Sequence, residues 1–193
     1  MKEDLLLRSK WTFRAEGRKA VFVKKAYEGA AHVLMKALLW ALYLPEYPGL
    51  MIEVSIGDRY RPDLVQMDPT GTPQFWGELG RVGSRKIHGL IRRYRRTHFA
   101  FGKWHTDLAP LASIIEKAVG TAAARNAPVD LISFPKESAE RFIGSDGEIR
   151  IHWNDLDWMR IDGRPGRSPR TPQQKTRPGR RKDGRQSRST NRR

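Results

Sequence analysis

The sequence predicts an α/β protein of mixed α+β type, with a central mixed sheet that contains an antiparallel meander and is flanked by helices. Three observations carry this. Three short alternating stretches between residues 50 and 79 follow one another through tight turns, which makes them antiparallel neighbours. Residues 26–44 and 84–96 carry apolar side chains at helical spacing. The next strand-like stretch, His98–Trp104, is reached through the second of these helices, which makes a parallel crossover.

In chain order, residues 12–25 alternate loosely (Phe13, Ala15, then Ala20, Phe22) about Glu16-Gly17-Arg18 and read as a hairpin. Residues 26–44 form a helix with Val33, Leu34, Ala37, Leu38, Ala41 and Leu42 on a broad apolar face, ended by Pro45, Pro48 and Gly49. So little of it is polar that it packs on both sides. Residues 50–56 are a strand closed by Gly57-Asp58. Residues 61–67 are a second, with Pro62 near its start, where a missing donor is tolerated. Asp68-Pro69-Thr70-Gly71 turns into a third strand at 74–79. Ser84 caps a helix to residue 96 with Ile87, Leu90, Ile91 and Tyr94 inward, and Asp107 caps another to 118 with Leu111, Ile114, Ile115 and Ala118 inward. Val129–Phe134 is a fifth strand, 136–142 a short helix, and 148–153 a last strand after Gly144-Ser145-Asp146-Gly147. Most of Trp40, Trp76, Trp104, Trp153 and Trp158 belong to the core or to sheet faces.

The 193 residues carry a formal charge of +16. Residues 163–193 hold twelve lysines or arginines against one acid, Asp183, and no aliphatic or aromatic side chain larger than proline. The reading is one domain over residues 1–160 and a disordered basic tail over 161–193, which binds polyanions such as nucleic acid without sequence readout. The absence of cysteine excludes a disulfide scaffold, a thiolate zinc site and a thiol nucleophile. The apolar run Leu5 to Leu7 is too short for a secretory signal, and the longest, 37–44, falls far short of the roughly 20 residues a bilayer span needs. The expectation is a cytoplasmic protein with no transmembrane segment.

Two carboxylates, Asp63 and Glu78, lie on strands joined by a short turn, so both can sit at one end of the sheet. Two carboxylates that close require a cation, and hard oxygen ligands select Mg2+ or Mn2+. The five histidines show no paired metal-ligand spacing. Glu28, His32 and Lys36, at successive spacings of four, share one helix face and read either as a solvent stripe or as a carboxylate aimed into a site. Beside the acids, residues 84–96 present Arg85, Lys86, Arg92, Arg93, Arg95 and Arg96 and no acid, a face suited to phosphates, with Arg85, Arg92, Arg93 and Arg96 as nucleic-acid contacts.

Arg61-Pro62-Asp63-Leu64 followed by Gly77-Glu78-Leu79-Gly80, after a helix bearing Glu28, resembles the PD-(D/E)XK nuclease-like superfamily, and within it the YaeQ family, over about residues 13–153. The resemblance implies a restriction-endonuclease-like fold and a Mg2+- or Mn2+-dependent endo- or exonuclease acting on DNA or RNA. It also implies metal ligation by Asp63, Glu78 and the Leu79 carbonyl, with Glu28 as an additional acid. The sequence departs from the superfamily pattern at Gly80, where a lysine is expected. Lys86 is then the foremost replacement, with Arg85 and Lys103 behind it, and the alternative is a catalytically inactive nuclease-fold protein that binds nucleic acid in a regulatory role.

Overall fold

The structure, a computed structural model, describes residues 9–122 and 125–162. Of the disordered tail expected over 161–193, residues 163–193 lie outside the described residues, and Ile161 belongs to the last strand of the sheet. The elements are β1 (Lys10–Ala15), β2 (Arg18–Val23), α1 (Ala30–Tyr43), β3 (Met51–Ile52), β4 (Leu64–Met67), β5 (Pro73–Leu79), α2 (Ser84–Arg93), β6 (His98–Trp104), α3 (Ala109–Thr121), β7 (Val129–Phe134), α4 (Ser138–Phe142) and β8 (Asp157–Ile161). The hairpin β1–β2 stands apart from a six-stranded sheet of order β3-β4-β5-β6-β7-β8. β3, β4 and β5 pair antiparallel, β5, β6 and β7 parallel, and β8 antiparallel to β7. This is the mixed sheet with a meander that the sequence predicts.

The central strands are covered on both faces, which is why β5, β6 and β7 read as nearly continuous apolar runs. Phe75, Leu79, Ala100, Ile132 and Phe134 face α1 and the hairpin residues Trp11, Phe13 and Phe22. Trp76, Phe99, Phe101, Val129 and Leu131 face α2 and α3. α1 is buried along almost its whole length, as its scarcity of polar side chains requires.

Several boundaries differ from the sequence reading, each for a physical reason. α1 begins at Ala30 with Gly29 as its N-cap, so Glu28 sits in the preceding turn rather than inside the helix. The strand expected over 50–56 shrinks to Met51–Ile52 because Glu53 adopts φ 51°, outside the β region. The ladder expected over 61–67 begins at Leu64. Gly83, not Ser84, is the N-cap of α2, which ends at Arg93, leaving Arg95 and Arg96 beyond it. Asp107 does accept the Ala109 N–H, at 2.9 Å, although Leu108 holds the N-cap position of α3. Residues 148–153 form no strand. They meet β1 through two backbone hydrogen bonds, Arg14 N–H to the Gly147 oxygen at 2.9 Å and Ile149 N–H to the Arg14 oxygen at 2.7 Å. The sixth strand of the sheet is instead β8, unpredicted. Among the described residues no helix is long and apolar enough to cross a membrane.

β8 is locked by a buried ionic network. Arg160 donates from Nε and Nη2 to the fully buried Asp130 carboxylate at 2.7 and 2.8 Å. The Tyr43 hydroxyl at the end of α1 donates to the same carboxylate at 2.6 Å, and His98 Nε2 lies 2.7 Å from it. Burial alone would raise the Asp130 pKa, but the hydrogen bonds and charges of Arg160 and His98 outweigh it and hold the group at about 2. A carboxylate depressed in the folded state stabilises above its unfolded pKa, and that contribution disappears as pH falls through the folded value. The urea midpoint should therefore decline between about pH 4 and pH 2, with a loss of about 2 kcal/mol from this group. In Arg160→Gln, whose folded-state value lies closer to the unfolded one, the decline should be smaller and should end at higher pH; an unchanged profile would contradict the assignment.

Candidate active site

The site lies where β4 and β5 begin and end. Asp63 immediately precedes β4, and its N–H donates to the Gly77 oxygen at 3.1 Å. Asp63 lies one residue before the Leu64–Gly77 pair, and the negative charge of its carboxylate is felt at Glu78 on the adjoining strand. Asp63 Oδ2 accepts the Leu79 N–H at 2.8 Å, and Oδ1 lies 3.1 Å from His32 Nε2. Glu78 is 4% exposed. Its Oε1 accepts from Trp76 Nε1 at 2.7 Å, two residues back on the same strand face, and its Oε2 accepts from Lys86 Nζ at 2.6 Å. Burial pushes the Glu78 carboxyl up, Lys86 and Trp76 pull it down, and the neighbouring negative charge of Asp63 adds to the rise.

The line Glu28, His32, Lys36 is no solvent stripe. Lys36 is 1% exposed, and its ammonium lies 2.5 Å from both Glu28 Oε1 and Glu53 Oε1. His32 Nε2 sits between Glu28 Oε1 at 3.3 Å and Asp63 Oδ1 at 3.1 Å. Glu53 Oε2 takes Lys25 Nζ at 2.6 Å. Burial would raise Glu53, but the hydrogen bonds from Lys25 and Lys36 outweigh it and the group is held below the usual carboxylate range. A continuous chain of charge thus runs Lys25, Glu53, Lys36, Glu28, His32, Asp63. The predicted acids Glu28, Asp63 and Glu78 and the predicted Lys86 belong to this cluster and its immediate neighbour pair. Sequence reasoning missed Glu53, because its place there depends on the positive φ that turns it out of the strand.

The backbone at Gly80 leaves little room for a side chain. It adopts φ +69°, and a Cβ would stand 3.2 Å from His32 Nδ1. Lys103, on the neighbouring parallel strand, donates from Nζ to the Gly80 oxygen at 2.5 Å, and burial lowers its pKa. Two lysines lie at this end of β5, Lys86 from α2 on the Glu78 carboxylate and Lys103 from β6 on the Gly80 oxygen. Leu79, whose carbonyl is the expected further ligand, closes β5 and spends its N–H on Asp63.

The α2 arginines divide. Arg85 and Arg92 are exposed, as is Arg96 beyond the helix. Arg93 is engaged by Asp58, which also accepts from the Tyr94 hydroxyl at 2.7 Å. From Arg85 to Arg92 the helix advances about 10 Å, so the basic ridge starts beside Glu78 and leads away from it.

Among the described residues no group of three or more histidine, aspartate or glutamate side chains converges as a ligand cage. The donor set that is present suits a hard divalent cation of the kind held by one or two carboxylates with retained waters and substrate oxygens. Asp63 and Glu78 are paired carboxylates whose oxygens each accept one hydrogen bond and keep a second lone pair.

A scan against protein-family models finds no match, and neither does a search of curated proteins. Solved structures do match. The YaeQ protein from Pseudomonas syringae superposes with a TM-score of 0.53 at 15% identity, covering 80% of this chain and 88% of that one. The YaeQ protein from Xanthomonas axonopodis pv. citri gives 0.52 at 16%, covering 80% and 90%. The molecule is a mixed α/β protein with an acid cluster at the mouth of its meander. Its fold is YaeQ-like.

Restoring the missing lysine in place should fail. Gly80→Lys forces a side chain into left-handed backbone, at about 1–2 kcal/mol, and into the His32 ring. Its urea midpoint should fall accordingly, and a variant as stable as the wild type would show that the backbone there relaxes freely.

Proposed function

We propose that this chain is a PD-(D/E)XK-type phosphodiesterase that uses Mg2+ or Mn2+ to cleave DNA or RNA. One observation carries the reading: Asp63 just before β4 and Glu78 on the adjoining β5 lie within electrostatic reach of each other, with the Lys86 ammonium 2.6 Å from Glu78 at the start of a helix that bears no acid. Asp63, Glu78 and the Leu79 carbonyl are the groups that would hold the cation. When bound, such a cation neutralises phosphate charge and acidifies a coordinated water.

The chain's own residues supply the rest. Lys86 carries a compact positive charge on a flexible stem, suited to an oxyanion that gains charge during phosphodiester cleavage. His32, between Glu28 and Asp63, fixes the orientation of the Asp63 carboxylate. Arg85, Arg92 and Arg96 hold flanking phosphates, Arg85 closest to the acids. Arg93, tied to Asp58, contributes less to that surface than its position in sequence suggests.

A second reading, a nuclease scaffold that binds nucleic acid without cutting it, is favoured by Gly80 and by the protein donors already seated on every Asp63 and Glu78 oxygen. Cleavage of single-stranded and duplex DNA and RNA in Mg2+ or Mn2+ separates the two. Under the first reading Asp63→Ala and Glu78→Ala abolish cutting, and Lys86→Met slows it on the order of 10²- to 10³-fold, the scale for losing one group that stabilises transition-state charge. Cutting that is unchanged in both acid variants would sink the enzymatic reading. Binding that survives them with no metal-dependent turnover supports the scaffold.

A further inference from the structure

The turn at residues 25–28 carries a side chain that contact with the rest of the chain leaves unexplained. Tyr27 is 86% exposed, whereas the next most exposed large apolar side chain among the described residues, Val23, is 53% exposed. An aromatic ring left in water forgoes a large burial contribution. Nor is the segment loose. The Glu28 N–H donates to the Lys25 oxygen at 3.0 Å, and the Lys25 N–H donates back to Glu28 Oε2 at 3.3 Å. The other oxygen of that carboxylate is held by Lys36 at 2.5 Å. The ring is therefore presented on a pinned turn by one of the acids of the cluster.

Its surroundings are cationic at the rim. Lys25, bound to Glu53, lies within electrostatic reach of Tyr27 and Arg61. Arg61 donates from Nε to the Glu53 oxygen, two residues before Asp63. Beside it, Tyr60 carries Arg59 at 4.6 Å and Lys86 at 5.2 Å over its ring. Basic groups that track a backbone, interleaved with an exposed ring, are the combination that binds unpaired nucleotides, because every base has a face to stack and a duplex has already used both.

We propose that Tyr27 is a base-stacking platform and that the nucleic acid taken by this site is single-stranded. This rests on the nucleic-acid part of the proposed function and is independent of whether the site cuts.

The test is fluorescence anisotropy with the full-length chain in EDTA. Three labelled probes are compared: a single-stranded oligodeoxynucleotide, its blunt duplex, and a strand of equal length built from abasic residues. The basic tail meets phosphates in all three, so differences report on the bases. The wild type should bind the single strand more tightly than the abasic strand. Tyr27→Ala should weaken single-strand binding roughly 5- to 150-fold, the span equivalent to about 1–3 kcal/mol per stacked base, and leave the duplex and abasic probes unchanged; Tyr27→Phe should bind like the wild type. Because the side chain touches so little, neither variant should disturb folding. Tyr27→Ala binding the single strand like the wild type, or losing the same factor on all three probes, overturns the proposal. No binding of any probe by the wild type overturns it together with the nucleic-acid reading, while intact stacking without metal-dependent cleavage supports it and removes only the enzymatic assignment.

Discussion

Asp63 and the almost wholly buried Glu78 lie on adjoining strands, and the negative charge of Asp63 makes that of Glu78 harder to hold. The surrounding structure is arranged to relieve that repulsion. His32 and the Leu79 N–H take the two oxygens of Asp63, and Trp76 and Lys86 take those of Glu78. Removing one partner of such a buried pair costs far more than the pair contributes, because the remaining charge is stranded. α1, α2 and β5 thus each bring a hydrogen-bonding group to the acids at this end of the sheet.

α1 connects this cluster to a second one. Its first turns deliver His32 and Lys36 to Glu28, Glu53 and Asp63, while its last residue, Tyr43, donates to Asp130. Between the two ends the helix is apolar, with Leu34, Leu38 and Leu39 fully buried. Fourteen residues span about 21 Å, so the helix is a rod fixed by charged hydrogen bonds at both tips and by packing between them. Its apolar sides pack it against the sheet, and the directional bonds at its ends tie His32, Lys36 and Tyr43 to their partners.

Periodicity is legible in sequence wherever one type of environment persists along an element, which is why the meander, the helices and the two-sided sheet could be read. β8 was hidden because Asp157-Trp158-Met159-Arg160-Ile161 mixes charge into a strand, and Arg160 belongs there only by virtue of Asp130, thirty residues away. Residues 148–153 looked like the better strand, yet their partner is the hairpin rather than the sheet. At the site, the acids and Lys86 were legible from their order along the chain. Lys36 read equally well as surface or site, since nothing local reveals that Glu28 and Glu53 converge on its ammonium. Glu53 was invisible, because its left-handed backbone has no signature in a residue type that rarely adopts it.

The basic side chains of the cluster differ in exposure, and the difference bears on what the site can exchange. The Lys36 side chain is 1% exposed and is gripped by two carboxylates, so its charge is part of the framework. Lys86 and His32 are 23% and 28% exposed, each at the open end of its carboxylate. An incoming cation or phosphate can compete with those two and cannot reach the first. Under the proposed function, Asp63 and Glu78 would hold the cation, and the Lys86 ammonium, beside the arginine ridge, would be suited to a phosphate oxygen. Gly80 is consistent with that division of labour. It has no side chain of its own and His32 packs beside the place a Cβ would take, while the two nearby lysines come from separate elements, one paired with the buried acid and one held on the Gly80 carbonyl.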